Sequence, residues 1–148
     1  MNAPSVTSFH ARLQGHFVSL LSWEQLASFW ELLLTRADAG WYVYAVGEDV
    51  PDSPRTGPEV VHFVREVDAL LRRDHDEDYC GIVYTDSRTE PTIVKIFDPN
   101  NLGSSCGSSK HPPPPRWLLT LHRPEPLNDG ILVPERRRRW WNTLWAKA

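Results

Sequence analysis

Apolar residues recur along this chain in two rhythms: every three or four positions in some stretches, and in short β-branched or aromatic runs in others. Phe9, Leu13, Phe17 and Leu20/Leu21 follow the first rhythm, so residues 7–20 read as a helix with one apolar stripe. Ser22 and Gln25 form an S-x-x-Q capping box, in which the serine hydroxyl accepts from the Gln25 N–H and the glutamine reaches back. Leu21 and Leu26 flank it as a hydrophobic staple. A second helix therefore starts near Trp23, and Leu26, Ala27, Trp30, Leu33, Leu34 and Ala37 keep its period, with Gly40 in the C-cap region. Pro58 suits the first turn of a third helix, whose buried stripe is Val60, Phe63, Val64, Val67, Leu70 and Leu71. Pro134 and Glu135 open a terminal helix running to Lys147.

The second rhythm marks strands. Residues 41–46, 80–85, 92–97 and 117–121 are short runs of β-branched, aromatic and other apolar residues. The turn-rich residues 86–91 join two of them as a hairpin, and the loop 98–115 joins the next pair as neighbours in an antiparallel meander. The pattern leaves the place of strand 41–46 in the sheet open. The order α-α-β-α-β-β-β-α predicts one α+β domain with a mainly antiparallel sheet covered by helices on one face. Residues 1–133 form its compact part, and 134–148 a basic, aromatic helix docked on it.

Composition narrows this picture. The 148 residues fit one domain, and 41% apolar content with seven tryptophans is enough for a core without staples. Net charge is −3, but residues 110–148 carry eight Lys/Arg against three Asp/Glu, so that segment is +5 and residues 1–109 are −8. The balance argues against a general nucleic-acid binder. No apolar run is long enough to span a bilayer, and the first residues lack a basic stretch followed by an apolar one. With only Cys80 and Cys106 as thiols, the expectation is a cytoplasmic protein.

Three features carry candidate chemistry. The loop 98–115 begins with Asp98-Pro99-Asn100-Asn101, a strong turn signal. Gly103, Ser104, Ser105, Cys106 and Gly107 can bend tightly and aim backbone N–H groups at one point. With Asn101, Lys110 and His111 they form a candidate ligand or anion site. No Walker or dinucleotide fingerprint is present, since the lysine lacks its glycine and a strand follows rather than a helix. Cys106 is also a candidate nucleophile with His111 or His122 as base, although no orienting third residue is evident. Prolines 112–115 form a stiff polyproline brace.

The second feature is the tail. Arg136, Arg137, Arg138 and Arg139 precede Trp140, Trp141 and Trp145, and Trp141, Leu144 and Trp145 share one helical stripe. Arginine and tryptophan are the residues most enriched in interface hot spots, so this is a candidate site for a protein partner. The competing expectation is a docked amphipathic helix whose arginines pair with the acidic remainder. The third feature is His75 among Asp74, Asp76, Glu77 and Asp78, which reads as a solvated connector because a calcium loop's glycine and spacing are missing. The six histidines show no metal-binding spacing, and no cofactor is implied. The sequence thus favours a small non-catalytic interaction or regulatory domain that presents the loop and the C-terminal helix to a protein. The alternatives are an anion or small-molecule module at the Gly/Ser stretch, an enzyme using Cys106, and nucleic-acid binding through the tail.

Overall fold

In the computed structural model, which describes residues 8–100, 114–127 and 133–146, the element order is α1 (Ser8–Leu13), β1 (Val18–Ser19), α2 (Trp23–Leu34), β2 (Tyr42–Ala45), α3 (Gly57–Asp74), β3 (Val83–Thr85), β4 (Ile93–Ile96), β5 (Trp117–Thr120) and α4 (Glu135–Ala146). The α+β class and the order expected from the pattern hold, with β1 as an addition. The five strands form one antiparallel sheet in the order β1-β3-β4-β5-β2. The hairpin β3–β4 pairs Val83 with Ile96, and β4–β5 pairs Ile96 with Trp117 across the loop. Strand β2, whose place was open, pairs with β5 through Tyr42↔Thr120 to Ala45↔Trp117.

Side chains alternate between the two sheet faces. Trp117 and Leu119 of β5 join Val43 and Ala45 of β2 in the main core, under Leu26, Phe29 and Leu33 of α2, the stripe of α3, and Leu144 of α4. Leu118, Tyr44 and Ile93 point the other way and meet Phe9 and Leu13 of α1 in a smaller cluster. The three long helices therefore lie on one face, and α1 packs on the opposite one.

The helix expected over 7–20 ends at Leu13. Turns from Gln14 N–H to Ala11 and from Gly15 N–H to Arg12 close it, and Val18 and Ser19 then pair with Thr85 and Tyr84. Glycine is a poor helix former and β-branched valine suits a strand, so the helix gives way just before Gly15 and the strand begins at Val18. The apolar stripe is consequently split: Phe9 and Leu13 serve the smaller cluster, Leu20 the main core.

Both long internal helices begin with reciprocal caps. The Gln25 N–H donates to Ser22 Oγ at 2.9 Å, and the Ser22 N–H to Gln25 Oε1 at 3.3 Å. The expected staple is incomplete, because Leu21 is 57% exposed while Leu26 is buried. At α3 the Thr56 N–H donates to Glu59 Oε1 at 2.9 Å and the Glu59 N–H to Thr56 Oγ1 at 3.3 Å, with Pro58 in the first turn. Thr56→Ala should therefore cost about 1 kcal/mol in urea denaturation, and Thr56→Ser should retain most of it.

Candidate functional site

The chain leaves β4 at Ile96 and turns at Asp98, whose Oδ1 accepts the Asn100 N–H at 2.9 Å. This is the Asx turn that Asp98-Pro99-Asn100 predicts. The same carboxylate is 3% exposed and receives a two-pronged contact from α4: Arg137 Nε donates to Oδ2 at 3.0 Å and Nη2 to Oδ1 at 2.9 Å. From the other stem of the loop, Arg116 brings its Nε to 3.4 Å from Asp98 Oδ2. The Arg116 backbone is fixed in the sheet, its N–H donating to Ile96 and its carbonyl accepting from Val46. Arg137 also reaches α3, with Nη1 3.0 Å from Asp74 Oδ2, while Arg73 Nε donates to Asp74 Oδ1 at 2.9 Å. The Asn100 amide, turned so that its oxygen faces the guanidiniums, accepts from Arg137 Nη2 at 3.1 Å and from Arg136 Nη2.

This network ties the foot of the loop to α3 and α4. Burial alone would push the Asp98 carboxyl up; the Arg137 bonds, the Asn100 N–H and the charges of Arg137 and Arg116 outweigh it and hold it below its usual range. Asp74 is lowered from 3.8 to about 2, mainly by the Arg73 hydrogen bond, with burial opposing and Arg137 adding. Both carboxyls are thus more acidic in the folded chain. Their stabilisation is complete above the unfolded value and disappears as pH falls through the folded one. Melting temperature should drop as pH falls from about 4 toward 2, and Asp74→Asn should make that limb shallower, with Asp98 supplying what remains.

Arg137, which the sequence groups with the partner-facing arginines, is 2% exposed and belongs to this network instead. Arg138 pairs with Glu48 at 3.1 Å on the surface. Arg136 and Arg139 are exposed. The three tryptophans of α4 are half-buried around Phe63, at ring-centroid distances of 6.4 Å for Trp140, 6.3 Å for Trp141 and 6.5 Å for Trp145. Arg55 lies over the Trp145 ring at 3.7 Å. Much of the tail's aromatic surface is therefore spent on docking α4.

What remains open is a cleft of about 610 Å³ between α3 and α4, lined by Arg73, Arg136, Arg137 and Arg139 with Trp140 and Leu144. His62 bridges the two helices at one side, its Nε2 lying 3.0 Å from the Leu144 carbonyl. Comparison of the chain with protein-family models, with curated proteins and with solved structures gives no match.

The ligand site expected at Asn101, Gly103, Ser104, Ser105, Cys106, Gly107, Lys110 and His111 lies outside the described residues. His122 sits just beyond β5 with Nε2 3.2 Å from Thr92 Oγ1, and Thr92 Oγ1 donates in turn to Asp86 Oδ2. The hydroxyl stands between the imidazole and the carboxylate and gives its proton to the latter, so this chain of bonds fastens the β3–β4 hairpin to β5. Burial and the Arg12 charge push the His122 imidazole down, opposed by Asp86. Cys80 is fully buried and its thiol is pushed up by burial, as a small core residue should be. Within the acidic connector, Asp76, Glu77 and Asp78 are exposed as expected, but His75 is buried, with Nε2 2.9 Å from the Cys80 carbonyl. No set of three or more His, Cys, Asp or Glu side chains placed to hold a metal ion occurs among the described residues, nor does a helix long and apolar enough to cross a membrane.

Proposed function

We propose that this protein is a non-catalytic interaction domain that meets a protein partner through the exposed side of α4 and the foot of the 98–115 loop. The observation that supports it most is the buried Asp98–Arg137 contact, which fastens the loop's first residues to the helix carrying the exposed Arg136 and Arg139. Two features singled out separately by the sequence thereby share one structural base. A cytoplasmic setting fits the free, buried Cys80.

The test is site-specific photo-cross-linking in the source cells. A benzophenone side chain replaces Thr143, exposed at the rim of the cleft, or Glu31, exposed on α2. Adducts with one protein from position 143 and not from 31 are expected. Equal adducts from both, or none from 143, would remove α4 as the contact face.

One observation favours an anion-binding module as a second reading: Arg116 is 4% exposed, yet its Nε and Nη1 lack a hydrogen-bond acceptor among the described residues. A rise in melting temperature with inorganic phosphate, lost in Arg116→Met, would support that reading.

A further inference from the structure

The α3–α4 cleft gathers more positive charge than its surroundings neutralise. Asp74 is shared by Arg73 and Arg137, and Asp98 by Arg137 and Arg116, so three guanidiniums divide two carboxylates. Arg136 meets the neutral Asn100 amide, and Arg139 has no ion pair among the described residues. Among the described residues, Glu66 is the one further acid along the cleft. Among the described residues, five guanidiniums therefore stand against three carboxylates in the cleft and the network behind it. The helix geometry sharpens the imbalance. Helix α4 starts at Glu135, so Arg136, Arg137 and Arg139 crowd its N-terminal turns, where the backbone already presents positive charge. Mutual repulsion at that end is relieved by an added anion.

We propose that the cleft binds an acidic segment of the partner protein, with carboxylate side chains taken by Arg73, Arg136 and Arg139 and the segment's apolar part laid against Trp140. This rests on the reading of α4 as the contact face. The guanidinium fork matches a carboxylate in a two-pronged geometry, as Arg137 already demonstrates on Asp98. A volume of about 610 Å³ suits a few side chains. The half-buried Trp140 offers an apolar wall beside the charges. A nucleic-acid strand fits worse. Its phosphates continue in both directions, and beyond Arg73 the chain turns into the exposed acids Asp76, Glu77 and Asp78.

The proposal is tested by fluorescence anisotropy of a labelled glutamate homopeptide titrated with the full chain at low and raised salt. Inorganic pyrophosphate and a short single-stranded DNA serve as competitors. Saturable binding is expected, weakened about tenfold or more by Arg136→Ser/Arg139→Ser and unchanged by Arg36→Ser, an exposed arginine at the end of α2. Thermal melting of each variant checks that the fold persists. Absence of binding, or equal loss in the Arg36 variant, overturns the proposal. Displacement by pyrophosphate or DNA at lower concentration than by unlabelled peptide also overturns it, because the preferred ligand is then a phosphate. If the peptide fails while position 143 still cross-links, the contact face stands and its acidic ligand is wrong. If position 143 yields nothing, the face itself is wrong.

Discussion

Asp98→Ala should lower the free energy of unfolding by about 3–5 kcal/mol, a large part of what a domain of this size possesses. The carboxylate is 3% exposed and is the anion that Arg137 and Arg116 share. Without it Arg137 keeps Asp74, but Arg116 is left buried with no carboxylate partner among the described residues. The cost is that of an uncompensated buried cation, which exceeds the net worth of an ion pair. Asp98→Asn keeps an oxygen for the Asn100 N–H and removes the charge, so it should fall between wild type and alanine. Arg137→Met in the alanine background should cost less than the separate effects added together, because the guanidinium it removes has already lost its main acceptor. Urea unfolding followed by tryptophan fluorescence reads these differences, provided the m-value is constant across the set. A cost under about 1 kcal/mol for Asp98→Ala would mean that water shares the site and that the network does not anchor the loop.

The burial of Arg137 also shows where the sequence could be read further. Trp141 and Leu144 lie four and seven positions after it, so the stripe that faces the core passes through residue 137 one turn earlier. Grouping it with its three neighbours as a partner-facing arginine follows residue type and ignores position. The excess of acid over residues 1–109 gave the complementary hint, and Asp74 and Asp98 are the two acids that answer it. Local signals served well elsewhere. The Ser22 and Gln25 cap lies within one turn of chain and needs no tertiary information. Thr56 and Glu59 carry the same signature, hidden behind Gly57 and Pro58. The hairpin followed from its short turn, and the β4–β5 pairing from the succession of strands across the long loop. The helix that stopped at Leu13 did not, because Phe9, Leu13, Phe17 and Leu20 keep helical spacing while serving two faces of a sheet. The cleft was out of reach for a different reason: its α3 wall and its α4 wall are separated by the whole sheet hairpin and loop, and no local pattern brings Arg73 to Arg139.

Phe63→Ala is the second large effect expected, about 3–5 kcal/mol, and it tests what holds the cleft open. Phe63 is fully buried on α3 and meets Trp140, Trp141 and Trp145 within 6.5 Å. Helix α4 has 12 residues, too few to persist alone in water, and its arginine-rich first turns oppose the helix dipole. Tertiary packing therefore supplies most of its stability, and Phe63 is the residue at which that packing converges. Truncation to alanine forfeits the ring contacts and leaves a void under three tryptophans; the His62–Leu144 bond and the Arg55 stack on Trp145 are too small to compensate. Phe63→Leu fills much of the space and should cost about 1–2 kcal/mol. Loosening of α4 should appear before global unfolding, as a red-shifted tryptophan emission and faster amide exchange in residues 138–146. Glutamate-peptide binding should fall in step with that exchange, although no residue lining the cleft has changed. If Phe63→Ala destabilises the whole chain while exchange in α4 and in β5 accelerates equally, then α4 is part of a single cooperative unit. If exchange in α4 is unaltered, the Asp98–Arg137–Asp74 network alone holds the helix in place.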